Sequence, residues 1–337
     1  MANKLKNFEI IAELAQGYEG STTIAKKLIK SAKLSNADAI KFQLVYSDEL
    51  SIPGYKYHNF FQKLELNKND WKQISNCAKK NKIKLYFDIF GKLSLKQADQ
   101  LNSDGIKIHP TDINNFELIY QIRNSTIKKI FLGIGGATIN EIKKIVNILK
   151  NKNLILLLGI QGYPTKSEDN NLFRITLLKK IFEKKKNIQY GFAEHDINKN
   201  IHQNNASMVA VGAGATYLEK HFTIKHGNKP LEDSESALYP NEFKDYVKIM
   251  KNSYICYSTA TNLSGFIVSN KEKKYKNNIS RSLVSKFRIK KGTKLTEKMF
   301  NLKRVAEKDS IKNYSVIKDK IIKFSLEKNK PLRKKFI

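Results

Sequence analysis

The feature that most constrains this 337-residue chain is a repeat: a short apolar run followed by a helix-like stretch, eight times over. The runs are "FEIIAELA" (8–15), "ADAIKFQL" (37–44), "IKLYFDIF" (83–90), "GIKIH" (105–109), "KIFLGIG" (129–135), "NLILLLGI" (153–160), "IQYGFAE" (188–194) and "TYLEKHF" (216–222). They read as strands. The stretches between them have helical apolar spacing, for example 21–35 with Ser21 as N-cap, 69–81, 138–152 and 240–254. Repeated βα units imply an α/β fold with parallel strands. Eight of them in about 250 residues match a (β/α)₈ barrel, with a doubly wound sheet as the runner-up. "GIGGAT" (133–138) lacks GxGxxG spacing and gives no dinucleotide fingerprint. The repeat ends near residue 257. Residues 258–280 are polar and read as a linker. Residues 281–337, with "RSLVSKFRIKKGTKLTEKMFNLKRV" at their start, read as a small, mainly β domain.

Composition narrows the function classes. The formal net charge is +31, but the lysines are spread over the whole chain beside Asn and Ile. No helix carries a one-sided Arg/Lys stripe interleaved with aromatics, so a nucleic-acid partner is not indicated, while a field of this sign attracts anionic substrates. No apolar run reaches the roughly 18–20 residues of a membrane span. "MANKLKNFEI" has no apolar signal-peptide core, which points to a cytoplasmic protein. Cys77 and Cys256 form neither a disulfide framework nor a zinc site, and are expected to be buried thiols in a reducing compartment.

In a parallel barrel the chemistry sits at the C-terminal strand ends. Polar residues gather there: Glu13, Lys41 and Gln43, Asp88, Lys107 with His109 and Asp112, Gln161 and Tyr163, Glu194 and His195, and "EKH" (219–221). Buried charges are costly unless paired or liganded, so a convergent set is a site hypothesis. His195 and His221 end consecutive strands, about 4.8 Å apart. They either share one divalent cation, with a carboxylate and water completing its shell, or are hydrogen-bonded core histidines. His58, His109, His202 and His226 are expected to be ordinary surface or core residues. Lys41 and Lys107 either pair with Glu13 or Asp112, or bind a phosphate or carboxylate. Alternation puts Glu219 on the face of His221, as an ion-pair or supporting partner, and turns Lys220 toward the helices.

The stretches "IIAELAQGYEGS", "ADAIKFQ", "IKIHPTDINN", "GYPTKSEDNNL", "GFAEHD" and "LEKHFT" resemble, in order, the sialic acid synthase family, which includes synthases for legionaminic and pseudaminic acids. The terminal stretch resembles its antifreeze-like (SAF) domain. The resemblance implies a (β/α)₈ barrel enzyme that condenses phosphoenolpyruvate with an open-chain N-acetylated hexose. It implies a homodimer whose swapped SAF domains reach the partner's site. It implies Mn²⁺ or Mg²⁺ on His195 and His221, Glu13 handling protons, and Lys41 and Lys107 holding phosphoenolpyruvate. Gln43, Phe90, Asp112, Gln161, Tyr163 and Asp233 match substrate positions, and Arg304 matches the SAF arginine that contacts the N-acetyl group.

Departures from the pattern mark a divergent subgroup. Gly17-Tyr18 replaces Asn-His, and Pro110-Thr111-Asp112 replaces Ser-Gly-Glu. Asp88 stands for threonine, Gly133 and Ala193 for serines, and Gln161 for asparagine. An aspartate beside a phosphate repels it unless it is protonated or paired, for instance with Lys107. A sugar lyase or isomerase using the same metal without phosphoenolpyruvate, and a non-catalytic anion- or glycan-binding protein, are the alternatives.

Overall fold

The computed structural model describes residues 5, 7–160, 162, 165–196, 204–227, 230–257 and 268–337. Two compact units divide the chain, Met1–Thr259 and Ala260–Ile337. In the first, eight parallel strands close into a barrel: β1 (Glu9–Glu13), β2 (Ala39–Gln43), β3 (Lys84–Ile89), β4 (Gly105–Ile108), β5 (Lys129–Gly133), β6 (Asn153–Leu158), β7 (Ile188–Glu194) and β8 (Tyr217–His221). Each strand pairs with its sequence neighbour, and β8 closes on β1. The helices are α1 (Thr22–Leu34), α2 (Ser47–Leu50), α3 (His58–Leu64), α4 (Lys68–Lys80), α5 (Lys92–Gln100), α6 (Phe116–Asn124), α7 (Ile139–Ile148), α8 (Phe173–Ile181), α9 (Asn205–Ala213) and α10 (Pro240–Tyr257).

Local chemistry sets the helix starts. Ser21 Oγ accepts from Ile24 N, Asn67 Oδ1 accepts from Asp70 N, and Thr138 with Glu141 forms a capping box. Alternation along the strands builds two cores. Outward residues such as Ile10, Ala12, Ile40, Phe42, Phe87 and Leu132 meet the helices. Inward, Ile11, Ala39, Tyr86, Phe131, Ile155 and Tyr217 fill the middle of the barrel. Tyr86, Phe131 and Tyr217 meet edge to face, at centroid separations of 4.9 and 5.5 Å. This layer is a plug, so the charged inward residues above and below it belong to separate ends.

The second unit has its own core around Leu283, Ile289, Phe300, Ile317, Leu326 and Leu332. Strands β9 (Ser282–Ser285) and β10 (Phe300–Lys303) pair antiparallel there, with isolated bridges elsewhere. Two expectations change. The polar stretch 258–280 contains a helix, α11 (Asn270–Ile279), begun by a Ser269/Glu272 capping box. It buries no side chain, so no apolar stripe announced it. Nor are the cysteines buried: Cys77 is half-buried and Cys256 is exposed, because both sit on the outer helices rather than in the barrel. Among the described residues no helix is long and apolar enough to cross a membrane.

Candidate active site

Register brings the inward charges of the last strand turn to one level. Glu13 pairs in register with Lys41 on β2 and with His221 on β8, while Asp88 lies level with Gln43 and Lys107. All except Gln43 are buried. Lys41 Nζ contacts Glu13 Oε2 and lies 2.5 Å from Asp88 Oδ1 and 3.5 Å from Glu219 Oε2. Lys107 Nζ lies 2.7 Å from Glu219 Oε1 and 3.7 Å from Asp88 Oδ2. Asp112, expected at the substrate and weighed as an ion-pair partner for the lysines, accepts from Asn115 and Thr111 on its own turn and lines neither cavity described below.

Three carboxyls around two ammonium groups cannot all ionise cheaply. Burial and the neighbouring charges of Asp88 and Glu219, against Lys41, push the Glu13 carboxyl up to about 8. At neutral pH it is an uncharged acid, its Oε1 2.5 Å from the Ala15 backbone N–H. Burial also works against ionised Glu219, but Lys107 and Lys41 outweigh it and hold that carboxyl at about 2. Lys41 stays charged despite its burial because Asp88, Glu13 and Glu219 surround it.

Beside this network the rings of His195 and His221 face each other at 5.4 Å between centroids. Burial and, for His195, the charge of Lys107 keep both imidazoles neutral; His195 is lowered to about 4. His195 Nδ1 donates to the Ile160 carbonyl at 2.6 Å, which leaves the lone pair on Nε2. Two neutral imidazoles fit a divalent cation. Among the described residues no group of three or more His, Cys, Asp and Glu side chains is placed to hold one. Glu13 and Glu219 are turned to lysines instead.

These groups line a cavity of about 130 Å³ at the barrel mouth. Among the described residues its wall carries four carboxyls, Glu13, Asp88, Glu219 and Asp233, but one ammonium, Lys107. Asp233, at a left-handed φ of 58°, accepts from Gln16 N at 3.0 Å, and burial raises its carboxyl. Gln43 accepts from Gln16 Nε2 at 2.9 Å. An adjoining cavity of about 400 Å³ shares Gln16, Gln43 and His109, and adds Phe90, Leu50, Tyr55 and Phe61. Gln161 and Tyr163 lie outside the described residues. Arg304 is an exposed residue of the second unit.

Sequence reasoning set His109 aside, yet it lines both cavities. Its parity with Lys107, two residues earlier, was the available signal. Lys220 and Glu194 turn the other way, as alternation requires, into a buried cluster with Ser207 and Tyr246. The replacements at Pro110 and Gly133 are one packing event: a Cβ at Gly133 would lie 2.6 Å from the Pro110 ring. No serine fits at 133 while Pro110 stands over it.

Comparison with known proteins agrees with this geometry. The model of the NeuB family matches residues 28–261. An uncharacterized protein of Methanocaldococcus jannaschii is 33% identical, over 95% of this chain and 91% of its own length. The N,N'-diacetyllegionaminic acid synthase of Campylobacter jejuni is 30% identical, over 94% of this chain and 96% of its own. The crystal structure of N-acetylneuraminic acid synthetase from Leptospira borgpetersenii superposes with a TM-score of 0.71 at 25% identity, covering 81% of this chain and 92% of that one. With a closed eight-stranded barrel behind the match, this chain belongs to the NeuB family.

Proposed function

We propose that this protein joins phosphoenolpyruvate to an open-chain N-acetylated hexose with the addition of one water, giving a nine-carbon 2-keto sugar acid and phosphate. The observation that carries the reading is one cavity at the C-terminal barrel mouth walled by Lys107 and two neutral imidazoles, with a second buried lysine, Lys41, tied behind it through Asp88. The names of the relatives, an N,N'-diacetyllegionaminic acid synthase and an N-acetylneuraminic acid synthetase, support it. Lys41 and Lys107 hold the donor's phosphate and carboxylate. His195 and His221 hold Mn²⁺ or Mg²⁺, which supplies Lewis-acid polarisation of the sugar aldehyde when bound. Glu13, an uncharged acid at neutral pH, has a proton to give at the sugar end of the cavity. Gln43, Phe90 and Asp233 position the sugar, joined by Gln161 and Tyr163. Arg304, from the SAF domain of the partner copy in a homodimer, contacts the N-acetyl group.

The test is direct. The purified protein is incubated with Mn²⁺, phosphoenolpyruvate and a panel of N-acetylated hexoses, and phosphate and 2-keto acid are measured. Absence of phosphate release with every sugar overturns the reading. His221→Ala abolishes metal-dependent turnover, and Arg304→Ala raises the sugar KM. The excess of carboxyls over lysines in the cavity wall favours a second reading, a lyase or isomerase acting on the sugar alone. Sugar conversion without phosphoenolpyruvate would establish that one.

A further inference from the structure

The buried charges at the barrel mouth close into a ring of alternating sign: Lys41, Asp88, Lys107, Glu219 and back to Lys41. Both acids turn one oxygen to each lysine, the pose a bound oxyanion would take. They are not equivalent. Glu219 lies within hydrogen-bond distance of Lys107, at 2.7 Å, and the two lysines hold it firmly ionised. Asp88 reaches Lys41 at 2.5 Å, but its second oxygen stands 3.7 Å from Lys107, beyond hydrogen-bond range. The ring is therefore slack at two links: Glu219–Lys41, at 3.5 Å and without a hydrogen bond, and the wider gap between Asp88 and Lys107. That gap opens on the cavity, which both residues line, while Lys41 lies beneath it with no exposed surface.

We infer that Asp88 is a built-in competitor for the anionic donor: it holds the two-lysine site before the donor enters, yields Lys107 when an oxyanion arrives, and so sets the donor's affinity. This rests on the reading of Lys41 and Lys107 as the donor's anion site. The physical reason is charge. The cavity wall is rich in carboxyls, and each carboxylate within a few ångströms of an incoming phosphate opposes it, since the protein interior screens charge less than water does. Asp88 is the removable one. Without it Lys41 keeps Glu13 and Glu219, and Lys107 keeps Glu219, so no buried cation is stranded.

The experiment is calorimetric titration of wild type and Asp88→Asn, both with Mg²⁺, with three ligands: inorganic phosphate, phosphoenolpyruvate and neutral N-acetylmannosamine. The expected result is that both anions bind at least about tenfold more tightly to the variant, while the neutral sugar changes by less than about twofold. Asp88→Thr, which also removes the charge, moves in the same direction and serves if the amide variant folds poorly. Unchanged or weaker phosphate binding to a folded variant overturns the inference, and so does equal tightening of the neutral sugar. Failure of the proposed reaction shows separately, as wild type releasing no phosphate from phosphoenolpyruvate; the inorganic phosphate titration decides the role of Asp88 in either case.

Discussion

Both ends of the barrel interior bury charge, on either side of the same aromatic layer. At the N-terminal end one carboxylate, Glu9, is shared by the Tyr86 hydroxyl, Lys84 and Lys129. At the C-terminal end two lysines meet three carboxyls. The lower lysines are 48% and 23% exposed; the upper ones are 0% and 4%. Below, the excess charge is cationic and drains to water, and Lys129 Nζ lies 5.2 Å from the centroids of the Tyr86 and Tyr217 rings. Above, three carboxyls are walled in with two lysines, and burial keeps the proton on Glu13, so two carboxylates face two ammonium groups. Buried charge alone does not mark a site. A set that balances itself against solvent is structural, whereas one held in tension around a cavity has been left able to respond to a ligand.

The contrast breaks most easily at Lys41. Replacing it with Met leaves Glu13, Asp88 and Glu219 facing one another without their shared cation. Stripping one partner from a buried ion network costs about 3–5 kcal/mol, so urea unfolding should show a loss of that size, with no turnover. An unfolding free energy within 1 kcal/mol of wild type would mean that the upper set is as loosely held as the lower.

Glu13 sharpens the comparison through pH. Its folded carboxyl titrates near 8, above its ordinary value of 4.5. Between those values the folded protein keeps a proton that the unfolded chain loses. The contribution is fully present below about 4.5 and disappears as pH rises through about 8, with a slope of at most ~1.4 kcal/mol per pH unit. Glu13→Gln stays neutral in both states and lacks this slope. Unfolding free energies of the two proteins should converge or cross between pH 5 and 8, then run parallel. Parallel curves throughout would mean that Glu13 is already ionised in the fold.

Much of this was legible in the sequence, because period-2 and period-3.6 patterns are local. The strands fell where apolar runs fell, and alternation alone sent Glu219 inward and Lys220 outward. What was not legible depends on closure. Glu13 or Asp112 was the ion-pair partner weighed for the lysines against anion binding, but Lys107 pairs with Glu219, 112 residues away, across a barrel whose shear no local pattern reports. The helices Ser47–Leu50 and His58–Leu64 were too short for periodicity to register, though they form part of the wall beyond Gln43. Gly133 looked like a lost hydroxyl donor until the Pro110 ring was seen to occupy its space.

Smaller effects are expected at the lower end. Glu9→Ala leaves the Tyr86 hydroxyl and two lysines without their common acceptor, a loss of about 2–3 kcal/mol. Turnover per folded molecule should not change, since the layer of Ile11, Phe131 and Tyr217 separates Glu9 from the cavity. A drop in kcat/KM matching the stability loss would show that the plug transmits strain between the ends. Lys84→Met is the mildest case. Lys84 is about half exposed, and its removal leaves Glu9 with Lys129 and Tyr86, so the change should stay under about 1 kcal/mol with kcat/KM unaltered. A lysine-to-methionine change is chemically the same at 84 and at 41, and both lysines lie close to a buried carboxylate. If thermal and urea unfolding gave equal losses at the two positions, solvent access would not be what separates the ends, and the upper network would need another reason to be called a site.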